Sequence, residues 1–296
     1  MNRRLHFPGK FPYRTNLLRK KCSEHGLASA VQSHPDHREA LMPTRVDEHL
    51  ALTILCAAAL SSSLMACGHN FHEASAGLTP VLLFNGTGTS PSDVTALESI
   101  LKAEHLHYAK IDSPQLNGTT ESHMRQYRLL IVPGGNFEQI GNRLTANTTM
   151  NIRKAVQNGL SYLGICAGAF FAGNSPYNGL NLTSGVRFGF YSAETRGLRK
   201  AAVAITTAVG ETFDQYWEVG PELNGWGAAV GKYPDGTAAI VQGSFGKGWV
   251  ILTGVHPEAP ATWRRGMDFR TPVEVDTGYA AALIRAALKR ESLPHY

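Results

Sequence analysis

Cysteine, long apolar runs and clustered basic residues are all scarce in this 296-residue chain, and each scarcity removes a class of explanation. The four cysteines are Cys22, Cys56, Cys67 and Cys166, and only Cys166 falls where the sequence reads as a folded domain. One thiol cannot close an internal disulfide, and the cysteine spacing offers no zinc site, so neither metal nor cofactor is expected. The apolar run Leu50–Leu60 is 11 residues long, short of the ~20 that a spanning helix needs. Net charge is +5, but residues 1–67 hold 9 Lys/Arg against 5 Asp/Glu, and the remainder holds 19 against 18. The folded part therefore has no basic run to track a phosphate backbone, and nucleic acid is excluded as a partner. A hydrophobic content of 43% excludes general disorder.

The chain divides into four stretches. Residues 1–49 mix Arg, Lys, His, Pro and Ser without a period, as expected of a disordered extension or of a start of translation nearer Met42. Residues 50–67 pair the apolar run with Ser61–Ser63 and then Leu64-Met-Ala-Cys67. The run has the length of a signal-peptide core, and its ending resembles a bacterial lipobox, which implies lipidation at Cys67, export and membrane anchoring. Asp47 and Glu48 stand where such signals carry positive charge, so a plain export signal and an ordinary buried or uncleaved helix stay open, the last leaving the protein cytoplasmic. Residues 68–77 read as a linker, and residues 78–296 as one domain.

Within that domain apolar runs end repeatedly in glycine. Pro80–Asn85 reads as a strand ending at Gly86-Thr-Gly88, followed by a helix capped by Ser90, with Pro91 at its first position and Asp93 at its positive end. Leu106–Ile111, Leu129–Val132 and Leu160–Ile165 read as further strands, and a helix runs from Asn147 or Thr148 to Asn158. Leu129–Val132 is apolar on both faces, as in a parallel sheet covered on both sides. Strand and helix alternate up to Ala172; after that Ala201–Thr206, Ala238–Gln242 and Trp249–Thr253 are strands, and Thr277–Glu291 is a closing helix. The expectation is a doubly wound, mostly parallel α/β domain.

The sharpest local signal is Gly164-Ile-Cys-Ala-Gly168, a G-x-C-x-G between strand and helix. A nucleophile elbow has this form. The turn forces the central residue into strained backbone, and the flanking glycines leave room for it. The following helix aims its positive end at the sulfur, which favours the thiolate. A nucleophile needs a base, and histidines inside the domain are few: His105, His107, His123 and His256. His256-Pro-Glu258 follows the strongest late strand, and in extended backbone His256 and Glu258 share a side. Glu258 can then orient the imidazole while His256 takes the thiol proton. The N–H groups of Ala167 and of Gly134 or Gly135, in Pro133-Gly-Gly135, can form an oxyanion hole.

Pro133-Gly-Gly135, Gly164–Gly168 and His256-Pro-Glu258, in this order, resemble the class I glutamine-amidotransferase superfamily. Within it the chain is most similar to the N-terminal domain of biotin–protein ligases, through Phe84–Gly88, Gly164–Phe171, Gln215–Trp217 with Gly220-Pro221, and Thr253–Glu258. The resemblance implies a flavodoxin-like fold and a triad of Cys166, His256 and Glu258. Glutaminases of the superfamily carry Gln four residues after the nucleophile; Phe170 stands there. The biotin-ligase catalytic motif is missing. The expected activity is hydrolysis of an amide-like bond in a small-molecule or peptide substrate. The alternatives are a binding or regulatory domain without catalysis and, less favoured, a glutaminase. Oligomeric state is not legible.

Overall fold

The computed structural model describes residues 80–296. The expected extension, signal segment and linker lie outside the described residues, and Cys67 with them. In chain order the strands are β1 (Val81–Phe84), β2 (Tyr108–Ile111), β3 (Leu129–Val132), β4 (Ser161–Ile165), β5 (Gly189–Phe190), β6 (Lys200–Thr207), β7 (Thr212–Glu218), β8 (Pro221–Glu222), β9 (Ala228–Lys232), β10 (Ala238–Phe245) and β11 (Gly248–Thr253). The helices are α1 (Pro91–Ala103), α2 (Ser113–Asn117), α3 (Glu121–Met124), α4 (Phe137–Arg143), α5 (Ala146–Gln157), α6 (Ala167–Ala172) and α7 (Val273–Lys289). Among the described residues no helix is long and apolar enough to cross a membrane.

Nine strands form one sheet in the order β2-β1-β3-β4-β11-β10-β9-β6-β7. The first five run parallel, and from β10 outward every pairing is antiparallel. Order 2-1-3-4 with a fifth parallel strand is the flavodoxin-like arrangement, so the fold is α/β as the sequence predicts. The strand runs explain the layering. Val81, Leu83, Leu129 and Ile131 belong to one core, shared with Leu97 and Leu101 of α1 and Leu283 and Ile284 of α7. Their neighbours Leu82, Phe84, Leu130 and Val132 belong to a second core with Ile152 of α5 and Phe171 of α6. Alternate residues of a strand face opposite sides, so a four-residue apolar run supplies both layers at once.

The helix starts follow the sequence cues. Ser90 caps α1 by accepting the Asp93 N–H at 3.4 Å, with Pro91 in the first turn. Thr145 caps α5 in the same way. The differences lie where the pattern is weak. The helix α7 begins four residues earlier than its Ala/Leu run suggests, at a Val-Glu-Val-Asp turn after Pro272. Strands β7 and β9 are not expected from the sequence. The former mixes polar with aromatic residues, and the latter carries Gly231, so neither shows a clean alternation. The short helices α2, α3 and α4 likewise lack a long enough period to be read.

The topology also locates the functional edge. Ligands of open α/β sheets gather beyond the carboxyl ends of the parallel strands. The segments after β1 (Gly86–Asp93), β3 (Pro133–Asn136), β4 (Cys166) and β11 (Gly254–Glu258) all leave the sheet at that edge.

Candidate active site

The strand β4 runs straight into Cys166, whose backbone sits at φ 48°, ψ −102°. A non-glycine residue there is strained and persists only where its surroundings hold it. The restraints are backbone bonds. The Cys166 N–H donates to the Thr253 carbonyl at 2.8 Å, and the Cys166 carbonyl accepts from Ala169 N–H at 3.0 Å and Phe170 N–H at 3.1 Å. The two flanking glycines are there for contact. A Cβ on Gly164 would lie 2.6 Å from the Gly168 carbonyl oxygen, and one on Gly168 would lie 2.0 Å from that of Val132. Cys166 precedes the first turn of α6, so the Ala167 N–H has no acceptor within the helix. The thiol donates to the Glu218 carbonyl at 3.5 Å.

Cys166 opens onto a cavity of about 760 Å³ that His256 also lines. His256 is held by its own N–H, which donates to the Tyr216 carbonyl at 2.8 Å, and by two rings set edge-on, Tyr216 at 5.7 Å and Trp263 at 5.9 Å. Its Nδ1 lies 2.9 Å from Glu258 Oε1, the side-by-side relation that the His-x-Glu spacing predicts. The opposite nitrogen, Nε2, is buried and has no hydrogen-bond partner among the described residues.

A second carboxylate is present that the sequence does not announce. Asp93 Oδ1 lies 3.1 Å from the same Nδ1, with the Asp93 side chain buried. In the sequence Asp93 reads as a residue placed for the helix dipole, and it does sit in the first turn of α1. Folding brings that turn against the loop after β11. Gly134 explains how the contact is possible: a Cβ there would fall 2.2 Å from Asp93 Oδ1 and 2.5 Å from His256 Cε1. Gly134 therefore packs behind the imidazole, whereas Gly135 and Ala167 line the cavity.

Charge follows from this packing. Burial disfavours an imidazolium at His256, but the neighbouring Cys166, Glu258 and Asp93 together outweigh it and raise the ring well above the ordinary histidine range. Burial also opposes ionisation of Asp93, yet the His256 charge beside it, with Ser90, holds its carboxyl below the usual value. Glu258 moves the other way. Burial, with some help from Asp93, raises it despite His256.

The stability linkage has a definite sign. The contribution of His256 is complete below about pH 6.5 and is lost as pH rises through its raised folded value. That of Asp93 is complete above about pH 3.9 and is lost as pH falls through its lowered folded value. NMR titration of the ring is expected to place the His256 midpoint above that of a free histidine, and Asp93→Asn is expected to lower it. An unchanged midpoint in that variant would mean that Asp93 carries no charge the imidazole senses.

Asp93, His256 and Glu258 each offer a ligand atom within 4.8 Å of the others. Nδ1 is hydrogen-bonded to Glu258, with Asp93 Oδ1 beside it as a charge partner only, and metal ligation needs a neutral imidazole nitrogen where Glu258 holds a proton. The geometry thus favours two carboxylates that steady the ring once Nε2 takes up a proton.

The aromatic and basic residues around the site separate into two groups. Tyr216 lines the cavity and donates its hydroxyl to Glu218 Oε2 at 2.7 Å. Trp217 is fully buried, Tyr191 stacks on Tyr233 at 3.8 Å, and Trp226 packs against the second core, so these three belong to the scaffold. Arg264 is buried and paired with Asp276 at 3.2 Å, whereas its neighbour Arg265 lines the cavity. Sequence reading also misses Phe137 and Phe190, which join Phe170 on the cavity wall. Neither lies in a motif that would mark it.

Comparison with known proteins finds one family model that matches part of the chain. Residues 79–216 match the family described as biotin-protein ligase, N terminal. The matched stretch includes Asp93, Cys166 and Phe170 and ends before His256. No curated protein matches the chain. Among solved structures, a GMP synthase component from Thermoplasma acidophilum is 12% identical, covering 71% of this chain and 98% of its own, with a TM-score of 0.41. The cytoplasmic protein STM3548 from Salmonella typhimurium is 12% identical over 70% of this chain and 98% of its own, with a TM-score of 0.43. A β-galactosidase from Bacillus circulans is 12% identical over 73% of this chain, with a TM-score of 0.39, and this chain spans 32% of its length.

Proposed function

From the match of residues 79–216 to the biotin–protein ligase N-terminal family, together with the site after β4, we propose a thiol hydrolase of amide-like bonds built on an amidotransferase-like domain. One observation carries the reading. Cys166 stands on a strained elbow and shares a cavity with His256, whose far nitrogen is gripped by Glu258. In this reading the Cys166 sulfur leaves the Glu218 carbonyl, turns toward His256 Nε2 and passes its proton there. The two carboxylates favour that transfer because they stabilise the imidazolium. The thiolate then attacks the substrate carbonyl carbon. The oxyanion is met by the N–H groups of Ala167 and Gly135, and His256 returns the proton to the departing amine. Water, deprotonated by His256, releases the acid and restores the thiol. Phe170 stands where the related glutaminases carry Gln, which disfavours glutamine as the substrate.

A second reading, a binding or regulatory module, rests on one observation as well: the thiol is hydrogen-bonded to Glu218 and not to His256. Alkylation separates the two. With Cys22, Cys56 and Cys67 replaced by Ser, the full chain has Cys166 as its single thiol. At pH 6.5 iodoacetamide is expected to modify it at least about tenfold faster in the parent than in His256→Ala. Equal rates would support the binding module.

Export and lipid attachment at Cys67 belong to the same proposal, supported by Leu50–Leu60 and Leu64-Met-Ala-Cys67. Intact mass should show a chain beginning at a lipidated Cys67; residues before it still attached would remove the anchor.

A further inference from the structure

Phe170, Phe137 and Phe190 come from three elements, α6, α4 and β5, and meet on one wall of the cavity. Phe170 stacks on Phe137 at 4.6 Å and 23°, and its ring lies 4.9 Å from that of Phe190. Phe190 remains 42% exposed, so part of the wall is open to whatever enters the cavity. Phe170 follows the nucleophile by one helical turn, with its N–H on the Cys166 carbonyl, so this wall begins beside the sulfur. The other ring group, Tyr216 and Trp263, surrounds His256. No ring of one group pairs with a ring of the other among the described residues.

This division assigns the two sides of a substrate. The departing group must lie on the His256 side, because that imidazole returns the proton to it. The acyl arm must then extend the other way, along the phenylalanines. The rings themselves offer no hydrogen-bonding group, although Glu138 and Lys200 line the same cavity, so a polar arm such as that of glutamine would lose hydrogen bonds where it lies against them. We propose that the phenylalanine wall is an acyl subsite for an apolar, ring-bearing acyl group. This rests on the hydrolase reading and goes beyond it in naming the substrate class.

The test uses the full chain and three thioesters that share the non-aromatic leaving group N-acetylcysteamine: acetyl, hexanoyl and phenylacetyl. Free thiol release gives kcat/KM, and rates are referred to each ester's spontaneous hydrolysis. Phenylacetyl is expected to exceed acetyl by about tenfold or more. In Phe190→Ala, which removes an exposed ring from a two-residue edge strand, that ratio is expected to fall by about three- to tenfold. Turnover with equal rates for all three esters, or a ratio unmoved by Phe190→Ala, overturns the acyl subsite and leaves the hydrolase standing. Absence of turnover with any ester, with no acyl adduct on Cys166 by mass, overturns the hydrolase reading and the subsite with it.

Discussion

Cys166→Ala is expected to lower kcat on a hydrolysed thioester by about 10⁴-fold or more while changing KM little. That is about 5 kcal/mol of transition-state stabilisation. The size follows from the geometry. Alanine keeps the elbow, since its side chain is no larger than the cysteine it replaces, and keeps the Ala167 N–H and the cavity. It removes only the sulfur that forms the new bond. His256→Ala should cost a similar amount, because the imidazole serves both proton transfers. The double variant should be little worse than either single one, since the two groups act as a unit. Full activity in Cys166→Ala would place the hydrolysis on another group and remove Cys166 as its nucleophile.

Gly168→Ala is expected to destabilise the fold by about 3 kcal/mol or more, read as a lower urea midpoint. The added Cβ would meet the Val132 carbonyl oxygen at 2.0 Å. Both partners there are backbone, one at the start of α6 and one at the end of β3, so no rotamer change can relieve the clash. The helix would have to lift from the sheet, and Cys166 would move with it. Gly278→Ala provides the control. Gly278 lies in α7 with nothing within 4 Å of the position of its Cβ. There the same substitution is expected to stabilise by about 0.5–1 kcal/mol through helix propensity and a less mobile unfolded chain. Two glycine-to-alanine changes of opposite sign would show that Gly168 is held by contact rather than by flexibility. Equal effects would mean that α6 can shift without cost.

Local pattern and long-range contact contribute differently to what can be read. Gly164–Gly168 is legible because an elbow is a local object. Its strand, its small flanking residues and its helix are contiguous, and the contact of Gly164 with Gly168 follows from the turn they bracket, whereas that of Gly168 with Val132 depends on β3 lying beside β4. His256 and Glu258 are legible for a similar reason, being two residues apart, although a turn at Pro257–Glu258 and not the expected extended chain brings their side chains together. The parallel half of the sheet is readable from runs such as Val81–Phe84 and Leu129–Val132, which supply both cores. The antiparallel strands β7 and β9 are not, because their faces are mixed and their pairing with β6 and β10 sets their register.

Sequence by itself determined the α/β class, the nucleophile candidate, the His-Glu pair and the replacement of a polar residue by Phe170. Each is a choice among residue types at short spacing, where backbone geometry leaves few alternatives. Only the tertiary structure decided that Asp93 is a second carboxylate on His256, that Gly134 clears the space for it, and that Phe137 and Phe190 complete a wall with Phe170. It also decided that the resting thiol faces Glu218. Those relations depend on the strand order 2-1-3-4-11, which brings four chain-distant loops to one edge of the sheet. No local periodicity encodes that meeting, because it comes from which strands pair and which rotamer the packed neighbours allow.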